Sequence, residues 1–161
     1  MNNNVALQGV NYAADIAGDI DLGAEGGPDM ASLAEQAIKQ CPTTKLALSG
    51  YSQGGLVVHY ALNSAGLPSS DVSAIVYFGD PGMCAHLSIG FSCLHVLTHV
   101  ITEDGTTRSG TVPASKIQEN CATGDDVCED HDGTITAAHL SYGSDASEAA
   151  QFIITVTGVS A

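Results

Sequence analysis

Tryptophan is absent from the 161 residues, and the other aromatics are scarce, with five tyrosines and three phenylalanines. A surface that stacks on sugar rings needs such side chains, so a carbohydrate-binding module is a weak reading. Basic residues are scarcer still: four Lys and Arg stand against eighteen Asp and Glu, a net charge of −14. Nucleic-acid binding requires cations to neutralise phosphates, and this chain lacks them. The same deficit argues against stable association with an anionic membrane. No apolar run approaches the roughly 20 residues of a membrane-spanning helix. The first residues, Met1-Asn2-Asn3-Asn4, carry neither the basic end nor the apolar centre of a signal peptide. With 44% hydrophobic residues the chain nevertheless has material for a core, and its length suits one domain over residues 1–161.

The stretch around which the rest is arranged is Gly50-Tyr51-Ser52-Gln53-Gly54. It follows the apolar Leu46-Ala47-Leu48 and precedes Gly55-Leu56-Val57-Val58-His59-Tyr60, which reads as a helix. A G-x-S-x-G sequence between strand and helix is the setting of a nucleophilic serine on a sharp turn. Its flanking glycines would remove the Cβ atoms that block such a turn. The Gln53 N–H, at the positive end of the helix, would face a developing oxyanion. A serine between glycines is also an ordinary turn, and the flanking elements are what favour the chemical reading.

Around this elbow the pattern alternates. Residues 5–10 read as a short strand, and residues 11–28 as loop. Asp29 is placed to cap a helix whose buried face is Met30, Leu33, Ala34, Ala37 and Ile38. Cys41-Pro42 ends it, and residues 45–49 form the next strand. Ala74-Ile75-Val76-Tyr77-Phe78 is almost continuously apolar, as in a parallel strand covered on both faces. Residues 116–120 form a last strand. Asp145-Ala146-Ser147-Glu148 resembles a capping box ahead of a helix with Ala149, Phe152, Ile153 and Val156 on one side. Leu7, Ile75 and Phe152 are expected in the core. The fold class expected is α/β with a mostly parallel sheet.

A serine hydroxyl needs a base, usually a histidine oriented by a carboxylate. Where the nucleophile sits on such an elbow, the acid and then the histidine follow it in the chain. His59 lies on the helix after the elbow and should point away from Ser52. His86, His95, His99 and His131 lie in loop-like stretches, and His139 precedes the last helix. Asp125 stands between Cys121 and Cys128, where a disulfide would fix it and add about 2–3 kcal/mol. On spacing alone, Asp125 and His139 stand equally as partners of Ser52 or as ordinary surface groups. His95 and His99 have zinc-like spacing but lack the Glu of H-E-x-x-H. The acids at 125, 126, 129, 130 and 132 miss the calcium-loop pattern because Cys128 occupies its first position. They read as a solvated acidic loop, and no metal is expected.

Taken together, Gly50-Tyr51-Ser52-Gln53-Gly54, the Cys121-Ala122-Thr123-Gly124-Asp125-Asp126-Val127-Cys128 loop and His139-Leu140-Ser141-Tyr142 resemble the fungal cutinases. Val5 to Val10, Cys41-Pro42 and Phe78-Gly79-Asp80-Pro81 resemble family segments as well. The resemblance implies a three-layer α/β-hydrolase-like domain lacking its first strand. It implies a catalytic triad of Ser52, Asp125 and His139, with the Gln53 N–H in the oxyanion hole and a Cys121–Cys128 disulfide. It implies a secreted, monomeric serine esterase of cutin polyester and short-chain esters, needing no cofactor or metal. The related acetylxylan esterases share the elbow and are the neighbouring alternative, and an inactive remnant is the non-enzymatic one. Family chains begin earlier, with a signal peptide, a strand and a second oxyanion donor. They also carry a cysteine that would pair with Cys41, which is therefore expected to be free. Residues 83–104 form an atypical insertion. Gly82-Met83-Cys84 can be encoded with a fungal-type splice donor, so the segment reads as translated intron, with a loop bridged by Cys84 and Cys93 as the alternative.

Overall fold

The computed structural model describes residues 5–15, 21–82, 109–129 and 133–159. The whole of the inserted segment, residues 83–104, lies outside these ranges, with Cys84, Cys93, His86, His95 and His99, and so does His131. The described elements are, in order, α1 (Gly27–Gln40), β1 (Leu46–Tyr51), α2 (Gln53–Asn63), β2 (Val72–Phe78), β3 (Ile117–Asn120) and α3 (Ala146–Thr157). The three strands form one parallel sheet in the order β1-β2-β3.

The central strand explains the layering. Ile75 and Tyr77 are fully buried, in one cluster with Met30, Ala34, Val57 and Ala61 of the first two helices. Ala74 and Val76 point the other way by strand alternation and are buried too. Helix α3 packs on β2. A strand sealed on both faces with helices on either side gives a three-layer α/β arrangement. Parallel pairing of Gly50 with Tyr77 and of Tyr51 with Phe78 brings the C-terminal ends of β1 and β2 side by side. Open α/β sheets present their sites at that end.

Several local expectations need correction. Residues 5–10 are not a strand: they run without ladder pairing, and Leu7 is 96% exposed rather than in the core. Apolar, β-prone residues form a strand only against a partner; here only Val10, with Tyr12 beyond it, packs on the core. Helix α1 begins at Gly27, so Asp29 lies in its first turn rather than at its cap. Pro28, with no N–H to lose and a helical φ, suits the opening turn. Ala37 is exposed, because only the first half of α1 packs on the core. Asp145 occupies the cap position of α3 but makes no capping bond; its carboxylate accepts from Ser144 Oγ at 3.0 Å. Phe152 is half-buried, while Ile75 is in the core as expected.

Candidate active site

Ser52 joins β1 to α2 with φ 53° and ψ −126°. A non-glycine residue held there costs about 1–3 kcal/mol, and such strain clusters at functional sites. Two backbone bonds hold it: Ser52 N–H donates to the Phe78 carbonyl at 2.9 Å, and Gly55 N–H to the Ser52 carbonyl at 2.8 Å. The glycines divide their roles differently from the sequence expectation. A Cβ on Gly50 would lie 2.4 Å from the Gly54 carbonyl oxygen, so the bend requires glycine there. A Cβ on Gly54 would meet only the Tyr12 hydroxyl, at 3.4 Å. The second indispensable glycine is Gly55, whose Cβ would strike the Asp80 carboxylate at 2.4 Å.

Asp125 lies in a loop closed by the Cys121–Cys128 disulfide, with Cα atoms 5.8 Å apart. Its N–H donates to Ala122 at 2.9 Å, and its carbonyl accepts from Cys128 and Glu129. The fully buried carboxylate accepts from Val127 N–H at 2.9 Å and from the Tyr142 hydroxyl at 2.5 Å. Both oxygens lie 2.9 Å from His139 Nδ1. Burial pushes this carboxyl up, but the bonds from Tyr142, His139 and Val127 outweigh it and hold it below the usual 3.8. An ionised acceptor fixes the His139 proton on Nδ1 and leaves Nε2 with a lone pair. That Nε2 is buried and has no partner among the described residues.

His139 is fastened to the Asp125 loop through Thr136. The Thr136 hydroxyl donates to the Gly124 carbonyl at 2.8 Å and accepts from His139 N–H at 3.3 Å. Its ring stacks on Tyr51 with centroids 5.1 Å apart, and the Tyr51 hydroxyl donates to the His139 carbonyl at 2.9 Å. Tyr51 precedes Ser52, so the histidine is tied directly to the elbow. Gly79, following the carbonyl that binds Ser52, closes the corner: its Cβ would lie 2.8 Å from both Asp125 Oδ2 and the His139 ring. An open pocket of about 230 Å³ is lined by Tyr51, His139, Leu140, Tyr142 and Gly143.

The structure thus joins Asp125 to His139 and packs the pair against Tyr51, next to Ser52, and Gly79. Ser52 Oγ itself makes no hydrogen bond, to His139 or to any other described residue. Gln53 opens α2, which puts its N–H at the helix's positive end. His59 is turned away from the elbow, with Nε2 2.7 Å from Asp80 Oδ2 and the Tyr77 hydroxyl 3.4 Å from Nδ1. Gly79 and Tyr51 carry positions in this corner that sequence reasoning did not assign. The sequence signal for Gly79 is a glycine directly after a buried strand; Tyr51 offers none beyond its place beside the serine. Among the described residues no group of three or more His, Cys, Asp or Glu could hold a metal ion, and no helix is long and apolar enough to cross a membrane.

A parallel sheet between helices, with a serine on a strained strand-to-helix turn, is an α/β-hydrolase-like architecture. The chain matches the Cutinase family model over residues 1–156; it belongs to the cutinase family. It is 43% identical to Cutinase 4 of Emericella nidulans over 157 residues, 98% of this chain and 58% of that protein. Identity to the cutinase of Monilinia fructicola is 37%, over 96% of this chain and 67% of the other. Among solved structures, a Trichoderma reesei cutinase in complex with a phosphonate inhibitor superposes with a TM-score of 0.71 at 31% identity, covering 93% of this chain and 58% of that one. An acetylxylan esterase gives 0.62 at 28% identity, covering 87% and 72%. The chain therefore spans roughly 58–67% of the length of these cutinases.

Proposed function

We propose that this chain is a serine esterase that cleaves carboxylic esters through an acyl-enzyme. Ser52 attacks the ester carbonyl, and His139 Nε2 takes the hydroxyl proton and returns it to the leaving alcohol. Asp125 holds the imidazole by Nδ1 and stabilises its cationic form. The Gln53 N–H donates to the oxyanion of the tetrahedral intermediate. Water, activated by His139, then releases the acyl group from Ser52. The bond between Ser52 and His139 closes in the substrate complex, as catalytic hydrogen bonds commonly do.

The observation that carries this reading is the buried His139–Asp125 pair, with the Nε2 lone pair unspent beside a strained serine elbow. The expected substrates are cutin-type polyesters and soluble short-chain esters. Tyr51 and Leu140, 46% and 70% exposed beside the pocket, give its rim an apolar character suited to acyl chains. The disulfide favours an oxidising, extracellular setting, and the chain is expected to act as a monomer. In the test, a fluorophosphonate probe should label Ser52 in the 161-residue chain and leave Ser52→Ala unlabelled. A sample that melts cooperatively yet shows no labelling would overturn the proposal and favour the inactive remnant.

A further inference from the structure

Tyr142 lies three residues after His139, is nearly buried, and touches Asp125, His139 and Tyr51. Its ring packs edge-on against His139, Tyr51 and Phe78, with centroids 6.3, 6.0 and 5.9 Å away. Packing alone would be served by phenylalanine. The hydroxyl has three neighbours: Asp125 Oδ2 at 2.5 Å, Ala122 N at 2.9 Å and Cys128 Sγ at 3.5 Å. Ala122 N–H is a donor, so the phenol oxygen must accept there. The phenol has one proton, and a disulfide sulfur is a poor acceptor. The proton therefore lies on the bond to Asp125, whose length is that of a charge-assisted O–H···O⁻ bond.

We propose that Tyr142 is a positioning residue, whose hydroxyl sets both the orientation and the basicity of the carboxylate that holds His139. This rests on the esterase reading above. Asp125 is fully buried, so no water is at hand to replace the lost donor. With Tyr142 and Val127 N–H both donating, the carboxylate shares its charge with two groups besides the imidazole. It stays ionised, and it pulls less strongly on the imidazole proton. The same hydroxyl links the disulfide loop to the turn that carries His139, adding to the ties made by Thr136 and Tyr51. The arrangement also suppresses ionisation of the phenol: burial, reinforced by the Asp125 charge, pushes Tyr142 far above its ordinary value. The hydroxyl is a donor throughout the working range.

Other charged and titratable groups lie on the elements around the pair. Asp126 lies in the disulfide loop, Glu129 just after it with its carboxylate on Gly124 N–H, Asp145 in the turn after Tyr142, and Tyr51 at the end of β1. None of these changes in Tyr142→Phe, which removes only the hydroxyl.

In the variant, the carboxylate should become more basic toward the imidazole. The acid limb of the kcat/KM profile for a soluble nitrophenyl ester should then move to higher pH by about half a unit to one unit. The kcat should fall about ten- to a hundredfold, the factor carried by one charge-assisted hydrogen bond, with KM changed less than about threefold. A folded variant whose acid limb stays in place would overturn the proposal, whether or not kcat falls, because a purely structural tyrosine would not move it. If Tyr142→Phe does not melt cooperatively, 3-fluorotyrosine placed at position 142 keeps the shape and strengthens the donor. Its acid limb should move to lower pH, and an unmoved limb would again overturn the idea. Failure of the parent reading is recognised separately, because Ser52 of the unaltered chain would then escape the fluorophosphonate probe.

Discussion

The ionised state of one buried side chain governs how the site responds to acid. Asp125 is held below 3.8 in the folded chain, so it binds a proton more weakly folded than unfolded. Its contribution to stability is complete above its unfolded value and is lost as pH falls through the depressed one. Asp125→Asn lacks this component. In paired urea titrations, the stability gap between parent and variant should therefore shrink between about pH 5 and pH 2. A gap that stays constant across that window would contradict the carboxylate geometry. At this scale the sequence was partly legible. Chain order left Asp125 and His139 open between a catalytic and a surface role, the resemblance to cutinases named them, and the structure does join those two. His59, set aside because it should point away from Ser52, forms an equally buried pair with Asp80 at 2.7 Å. The two pairs differ in what lies on the other side of the imidazole: a tyrosine hydroxyl for His59, and an unspent nitrogen beside the elbow for His139. A chain of letters carries no such direction.

The elbow shows how much of a motif is steric necessity. Two glycines bracket the serine in the sequence, and they look equivalent there. Only Gly50 faces backbone at 2.4 Å. Gly50→Ala should therefore lose its cooperative melt or its labelling by fluorophosphonate. Gly54→Ala should fold and be labelled like the parent, because the added methyl meets only the Tyr12 hydroxyl, at 3.4 Å, and alanine favours a helix over glycine. A strongly destabilised Gly54→Ala would mean that the first turn of α2 sits closer to Tyr12 than described. Elements with long apolar signatures were legible: β2, α2 and α3 appear where periodicity put them. Residues 5–10 were not, because strand formation depends on a partner that the segment itself does not encode. Caps were not either, since Asp29 and Asp145 find acceptor roles toward Asn11 N–H and Ser144 Oγ instead.

At the scale of the whole chain the dominant feature is charge. With four cations against eighteen acidic residues, the compact state repels itself, and salt screens that repulsion over roughly 8–10 Å at physiological strength. The melting temperature should rise as sodium chloride increases from low to moderate concentration, followed by circular dichroism. A flat response would show that the acidic residues lie too far apart in the folded chain to repel one another appreciably. Composition made this property readable without any structure. Composition also excluded phosphate backbones as partners, while saying nothing of the corner where β1 and β2 end. That corner depends on the parallel register of the two strands, which emerges only once Gly50 lies opposite Tyr77.

The acid of the proposed triad hangs from a covalent ring that lies outside the sheet, while the elbow is built into the sheet itself. Reduction of the ring is therefore expected to loosen the acid before it disturbs the sheet. Material made in a thiol-rich cytoplasm, or stored with dithiothreitol, would keep its strands and helices yet present a slack acid to the imidazole. Preparation in an oxidising compartment is accordingly part of obtaining this chain in working form.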